Sequence, residues 1–140
     1  MTKRITLKEA VKFHGHLGPY LVLGLLIGEF AMKRLNCRRY FGIKVRVRGA
    51  NKKPKSCLID GLQLSTGATY GKGNISKFSG NNIQVEFLKN RGGGLLRVEL
   101  KPALRKKLNI LTTHEDSEDF AKKLYKDGVK TGELLWRYLD

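Results

Sequence analysis

The chain has 140 residues, enough for one domain with a real hydrophobic core, and its content of 41% hydrophobic and 29% charged residues is ordinary for a globular protein. Apolar runs throughout the chain exclude global disorder, and two widely spaced cysteines, Cys37 and Cys57, exclude a disulfide framework. The net charge of +16 is unusual; unless it only keeps the surface soluble, it attracts polyanions, anionic membranes or anionic substrates.

The charge is unevenly distributed along the chain. Residues 1–114 hold 23 Lys and Arg against 5 Asp and Glu, whereas residues 115–140 hold 5 against 7. No acid occurs between Glu29 and Asp60, and residues 33–55 carry ten basic side chains. This pattern predicts a basic surface in residues 33–55, suited to nucleic acid or to an acidic protein partner.

The most apolar run, Leu17 to Met32, is shorter than the roughly 20 residues of a spanning helix, and the N-terminus has no signal-peptide core. We therefore expect a cytoplasmic protein without a membrane span.

The first two predicted elements are helices. Thr6 and Glu9 have the spacing of a capping box, which predicts a short helix up to a break at His14–Gly18. Pro19 suits the first position of a second helix, which reaches to about Asn36 and is apolar nearly all round, so it should be central. Gly24 and Gly28 share one of its faces and would let another backbone approach closely.

The remaining elements predict one α+β domain over residues 1–140, with helices covering a mixed sheet in two layers. Ile43–Arg48 alternates apolar and basic residues, as a half-buried strand does. Ser56 is expected to cap a helix from Cys57 to about Thr66, and further strands are expected at about 74–79, 83–89 and 94–100. The acidic segment at about 114–140 is predicted to be helical, capped by Asp116 or Ser117, with contacts from Phe120, Leu124, Leu134, Leu135 and Tyr138.

His14-Gly15-His16 places two imidazoles two residues apart, just before a helix N-terminus. On an extended segment both side chains point to one side, where they can bind a metal ion, an anion or a substrate carboxylate. A pair of loop histidines bonded to backbone carbonyls is the alternative. Cys57 is the natural third ligand, because a helix start lowers the pKa of a thiol, although a buried cysteine can also be simply apolar. Asp60 lies one turn further on, on the same helical face.

The glycine-rich loop from Gly67 to Asn74 does not match a phosphate-binding loop, because three residues rather than four separate Gly67 from Gly71-Lys72. Lys72 could still neutralise an anionic ligand; otherwise the loop is a turn that needs positive φ angles. His114 is expected to be exposed at the start of the acidic helix.

Three stretches, in order, resemble the FmdE family, named for the E-type component of formylmethanofuran dehydrogenase. Phe13-His14-Gly15-His16-Leu17-Gly18-Pro19-Tyr20 is similar to its His-Gly-His-x-Cys-Pro-Gly signature, Cys57-Leu-Ile-Asp60-Gly-Leu-Gln63 to its Cys-x-x-Asp-x-x-Gln helix, and Thr66 to Asn74 to its Thr-Gly-Cys-Thr-x-Gly-Lys-Gly-Asn loop. The resemblance implies an α-β-α-β-β-β core, shared in outline with the catalytic domain of glyceraldehyde-phosphate dehydrogenase. It also implies a homodimer and association with a larger dehydrogenase complex. Its site residues would be His14, His16 and Cys57 for a metal, and Asp60, Thr66, Lys72 and Asn74 for a ligand.

The chain departs from this family pattern at two cysteines and at its C-terminus. Gly18 and Ala68 stand where the family often has cysteine, and no cysteine follows Cys57 to form a zinc ribbon. Two imidazoles with one thiolate favour zinc or a similar divalent ion, and they exclude an iron–sulfur cluster. No nucleotide is expected. Three functions therefore stay open: a metal or small-ligand protein, a basic nucleic-acid-binding module, and a component that docks an acidic partner.

Overall fold

The computed structural model describes residues 4–130 and 132–139, so Met1 to Lys3, Thr131 and Asp140 lie outside it. Five helices and five strands follow one another along these residues: α1 Leu7–His14, α2 Pro19–Leu35, β1 Ile43–Arg48, α3 Cys57–Thr66, β2 Ile75–Phe78, β3 Gln84–Lys89, β4 Leu95–Leu100, α4 Pro102–Asn109, α5 His114–Asp127 and β5 Leu134–Leu139. The α+β class is confirmed, and α2 to β4 reproduce the expected α-β-α-β-β-β order. No described helix combines the length and the apolar character needed to cross a bilayer.

The strands form one mixed sheet in the order β2-β1-β3-β4-β5. Strands β1 and β2 run parallel, with Val45 opposite Ile75, because helix α3 forms the crossover between them. The other neighbours are antiparallel, and a short turn joins β3 to β4.

One face of the sheet is buried against helices, and the other carries charge. In β1 the side chains of Ile43, Val45 and Val47 are fully buried in the core, which helices α2 and α3 also line. The alternate residues Lys44, Arg46 and Arg48 are exposed or half-buried, as the apolar–basic alternation predicts. The two-layer arrangement thus leaves a charged sheet face uncovered by the described helices, cationic at β1 and with Glu86 of β3 opposite Arg46 and Arg97.

Helices α2 and α3 cross in backbone contact through glycine. A Cβ added to Gly24 would lie 2.2 Å from the carbonyl oxygen of Leu58 and 2.8 Å from the Cα of Gly61. One turn on, Gly28 packs against Ser65, whose hydroxyl donates to the Gly24 carbonyl at 3.0 Å. The close approach expected at Gly24 and Gly28 is therefore present, and it fixes α3 relative to α2.

Two local predictions near the helix starts are confirmed and one is not. The Thr6 hydroxyl accepts from the backbone N–H of Glu9 and the Glu9 carboxylate accepts from that of Thr6, so the capping box is formed. Helix α2 begins at Pro19 and ends at Leu35. Ser56 precedes α3, but its side chain makes no capping hydrogen bond.

The C-terminal segment corrects the prediction of a single acidic helix. Helix α5 begins at His114 and is capped by Thr113, whose hydroxyl accepts from the backbone N–H of Asp116; Asp116 and Ser117 lie inside the helix. The helix ends at Asp127, and Leu134–Leu139 pairs with β4 as an edge strand. Helix α4, which the sequence did not predict, follows β4 and precedes α5 in the chain.

Candidate metal centre

Helix α1 ends at the first candidate ligand, and a glycine turns the chain toward the second. His14 is the last residue of α1, and Gly15 adopts a left-handed conformation at φ 105°. The segment is therefore not extended, as the sequence suggested, but the glycine still folds the second imidazole back. The ring centroids of His14 and His16 lie 4.5 Å apart.

Cys57, the first residue of α3, completes a group of three donor atoms. The ligand nitrogens of His14 and His16 and the Cys57 sulfur all lie within 4.8 Å of one another. His14 is half-buried, His16 is exposed and Cys57 is half-buried. A tetrahedral zinc site holds its ligands at roughly 3.3–3.8 Å from one another, so this set needs to close by about 1 Å to hold the ion.

The His14 imidazole is oriented by a carboxylate. Its Nδ1 lies 2.6 Å from Oδ2 of Asp60, and Gln63 donates to the other oxygen of Asp60 at 3.2 Å. The side chain of His14 is only 10% exposed, and its Nε2 is buried without a hydrogen-bond partner. A histidine that gives one nitrogen to a carboxylate and leaves the other free is the usual arrangement at a metal.

The surroundings of His16 favour the protonation state that binds a metal, whereas those of Cys57 oppose it. Burial, the neighbouring His14 and His114 and the ammonium of Lys53 lower the pKa of His16. That imidazole is thus neutral and able to coordinate at neutral pH. Burial and the Asp60 carboxylate raise the pKa of the Cys57 thiol. The lower thiol pKa expected from the helix start is therefore wrong for the metal-free protein, and a metal must displace the proton.

Gly18 stands beside the same group. Its backbone is extended, at φ −148°, and an added Cβ would lie 3.5 Å from Nε2 of His16, an ordinary contact. A side chain at this position would point to the donor cluster. Ala68 is different: it is fully buried in the hydrophobic core and follows the far end of α3.

Thr66, Lys72 and Asn74 hold the glycine-rich loop together. Thr66 donates to the Leu62 carbonyl at 2.6 Å and accepts from the Ala68 N–H, while the Lys72 ammonium donates to the Gly67 carbonyl at 2.6 Å. The Asn74 amide accepts from the Thr69 N–H at 2.9 Å and donates to the Ile43 carbonyl. These groups gather at the C-terminal end of α3, roughly 14 Å along the helix from Cys57 at about 1.5 Å per residue.

The structure adds His114, which sequence reasoning placed only as an exposed residue. It is exposed, but its ring centroid lies 6.5 Å from that of His16. Both imidazoles and Cys57 line a cavity of about 190 Å³, which Leu108, Leu111 and Ser117 also line. The only sequence signal was its residue type, because His114 lies far from the other histidines in the chain.

Three comparisons relate the chain to known proteins. A protein from Archaeoglobus fulgidus, described as a probable S-adenosyl-L-methionine-binding protein, is 26% identical over 145 residues; the match covers 96% of this chain and 39% of that protein. The crystal structure of an FmdE-like protein of the tungsten formylmethanofuran dehydrogenase type, from Syntrophus aciditrophicus, shares the fold, with a TM-score of 0.63 and 20% identity over 99% of this chain and 77% of that one. The family model FmdE, molybdenum formylmethanofuran dehydrogenase operon, matches residues 13–133. These residues include His14, His16, Cys57 and every element from α2 to α5, and the chain therefore belongs to the FmdE family.

Proposed function

We propose that this FmdE-family protein binds one divalent metal ion, preferentially zinc, through His14, His16 and Cys57. The observation that carries the proposal is the buried, unpartnered Nε2 of His14, held in place by the Asp60 carboxylate on the other ring nitrogen. An unsatisfied buried nitrogen costs about 1–3 kcal/mol, which coordination of a metal would recover.

The donor set supports zinc over harder ions. Two imidazoles and a thiolate suit zinc, whereas magnesium and calcium take oxygen ligands. When bound with an open position, zinc polarises a small ligand or lowers the pKa of a bound water. Asp60 fixes His14 in its coordinating orientation, and the 190 Å³ cavity beside His16 and Cys57 gives a small molecule access. In this proposal the protein is an accessory or ligand-binding member of a formylmethanofuran-dehydrogenase-type system.

Zinc titration of the purified protein tests this function. We expect one tightly bound zinc per chain, measured by competition with a chromophoric chelator and by elemental analysis. The variant His14→Ala, His16→Ala should lose it, while Lys122→Ala, an exposed change on α5, should not. Equal zinc content in all three proteins would refute the metal centre.

A second candidate, single-stranded nucleic-acid binding, is supported by a cationic aromatic cluster. Tyr40 and Phe41 are 52% and 75% exposed, just before the cationic β1, and the Lys72 ammonium lies 5.8 and 5.5 Å from their ring centroids. Exposed rings can stack bases while the cations contact phosphates. Tyr40→Ala, Phe41→Ala should then weaken binding of a labelled single-stranded oligonucleotide at least tenfold without changing zinc content. Unchanged binding, or binding that persists at high salt, would reject this candidate.

A further inference from the structure

All the histidines of the chain lie close together in the structure. The sequence contains three histidines. His16 is close to both of the others, with its ring centroid 4.5 Å from that of His14 and 6.5 Å from that of His114. His14 ends α1 and His16 lies in the α1–α2 connection, whereas His114 begins α5, so chain proximity does not explain why His114 lies near the other two.

Three protein donors leave a tetrahedral ion one position short. Structural zinc sites are closed by four protein ligands, and sites with three keep a water or substrate in the fourth position. Here the cavity bounded by His16 and Cys57 is the space next to the donor group, and His114 lines the same cavity. An imidazole that could supply a fourth donor therefore lines the cavity beside the group.

The separation of the His16 and His114 rings is close to that expected for two ligands of one ion. Two imidazoles on one tetrahedral zinc have ring centroids about 5 Å apart, given zinc–nitrogen bonds of about 2.0–2.1 Å. The 6.5 Å between His16 and His114 exceeds this by little more than 1 Å. Because His114 is exposed and stands at the first position of α5, its side chain can rotate into the cavity without leaving the helix.

We propose that His114 is the fourth protein ligand of the metal, so that the loaded centre is a closed set of three imidazoles and one thiolate. This inference rests on the proposed metal site. It gives the acidic α5 a role, because metal binding then joins the start of that helix to the α1–α2 connection and to α3. A small molecule that enters the cavity must displace His114 to reach the metal.

Nitrogen NMR of histidine side chains tests the assignment directly. Protein labelled with ¹⁵N-histidine contains three imidazoles, each giving two nitrogen signals. With one equivalent of zinc, we expect one nitrogen of each imidazole, including His114, to move to the metal-bound position. Signals are assigned by single His→Gln variants.

The His114→Ala variant gives an independent affinity measurement. We expect its zinc affinity to fall at least tenfold in chelator competition, and Lys122→Ala on the same helix should bind as the unaltered protein does. Circular dichroism verifies that both variants fold. Metal-bound signals for His14 and His16 with an unchanged His114, or equal zinc affinity in His114→Ala, would overturn the fourth-ligand proposal and leave the metal centre intact. No zinc-dependent change at any histidine would overturn both.

Discussion

At the scale of single residues, Asp60 has a role that its motif did not specify. The Cys-x-x-Asp spacing placed the carboxylate near a ligand, whereas the structure joins it to Nδ1 of His14 and to the Gln63 amide. Gln63 in turn accepts from the Tyr70 N–H, which connects the candidate metal centre to the glycine-rich loop. In the proposed site Asp60 would therefore act on the metal through His14.

Replacement of Asp60 should weaken metal binding without removing a ligand. In Asp60→Ala the His14 ring loses the acceptor that fixes its orientation, and we expect zinc affinity to fall about 10–100-fold. Asp60→Asn keeps an acceptor oxygen, so its zinc affinity should fall less. Asp127→Asn, an exposed acid at the end of α5, is the control for net charge. If Asp60→Ala binds zinc as the unaltered protein does, the positioning role of Asp60 is wrong.

Gly18 offers a gain-of-function test. Its extended backbone accepts a side chain, and an added Cβ points toward His16. Gly18→Cys should add a thiolate to the donor group and raise zinc affinity by about tenfold or more, with a cobalt charge-transfer band of higher intensity as the second readout. Gly18→Ser has similar volume without the soft ligand and should show neither change. A Gly18→Cys protein indistinguishable from Gly18→Ser would place residue 18 outside the coordination sphere.

Proton release would give the proposed metal centre a defined pH dependence. The pKa of the Cys57 thiol is raised by burial and by Asp60, so at neutral pH the thiol is protonated and zinc must displace that proton. Apparent zinc affinity should therefore rise with pH, by about tenfold per pH unit until the thiol ionises by itself. Cys57→Ser should bind more weakly and lack this slope between about pH 6.5 and pH 8.5. A parallel slope in both proteins would show that Cys57 does not coordinate.

The sequence could predict only those site residues that stand in short motifs. His14, His16 and Cys57 stand in short motifs, and the fold brings them together. His114 has no motif, and only the packing of α5 against α2 brings it near. The glycine-rich loop motif includes Thr66, Lys72 and Asn74. A motif shows which residues occur together but not which atoms they contact. In the structure these three side chains bond to backbone carbonyls and N–H groups.

At the scale of elements, the α2–α3 crossing sets the position of the candidate metal centre. Pro19 starts α2, which follows His16, and Cys57 starts α3. The candidate ligands therefore lie at the N-terminal ends of these two helices. The backbone contact between Gly24 and Gly61 leaves no room for a methyl group. Any change at this crossing moves the thiol relative to the imidazoles.

Gly24→Ala should destabilise the fold. The new Cβ would lie 2.2 Å from a backbone oxygen, so the helices must separate, at a cost of about 1–3 kcal/mol or more. We expect a lower midpoint in urea denaturation and weaker zinc binding in the remaining folded protein. Gly18→Ala, where the added Cβ has ordinary contacts, is the matched control and should change stability little. Equal midpoints for the two variants would contradict the close packing.

The C-terminal segment shows where local patterns fail. Leu134, Leu135 and Tyr138 have spacings compatible with a helix, and the acidic residues before them favour one. The available edge of β4 decides the outcome, because Leu134–Leu139 can form a complete antiparallel ladder there. Trp136 then packs against Phe30 of α2, with ring centroids 5.5 Å apart. Such tertiary pairing cannot be read from periodicity within one segment.

Glu133, just before β5, couples the stability of this segment to pH. Its carboxylate accepts from the Lys107 ammonium at 2.7 Å and from the Lys130 N–H at 2.8 Å, and the residue is 7% exposed. Burial alone raises the pKa of Glu133, but these hydrogen bonds and the two lysine charges outweigh it, so the pKa is lowered. A lowered folded-state pKa adds stability that is present above the unfolded-state pKa and is lost as pH falls through the folded-state value.

Glu133→Gln should therefore lower the free energy of unfolding at neutral pH, and the difference from the unaltered protein should shrink as pH falls below about 4. Urea denaturation at a series of pH values measures it, with Glu115→Gln, an exposed change on α5, as the control. A difference that stays constant from neutral to acid pH would show that the charge of Glu133 is not the source of the stabilisation.

At the scale of the whole molecule, the layer order and the charge segregation were both predictable. The period-two alternation in Ile43–Arg48 determines which side of the sheet is buried, and the helix between β1 and β2 allows their parallel pairing. Strand order and the position of α5 were not predictable, since they depend on contacts between segments distant in sequence. The homodimer and the dehydrogenase complex stay predictions, to be measured by sedimentation and by co-purification.

The wide separation of the donors along the chain has a consequence for folding. In the proposed centre, an ion held by the end of α1, the α1–α2 connection, the start of α3 and the start of α5 would act as a reversible cross-link, closing loops of roughly forty and sixty residues. Closure of loops this long carries a large entropic penalty in the unfolded chain. Chelation would then remove a long-range tether as well as local bonds, and its effect should extend to segments that never touch the metal.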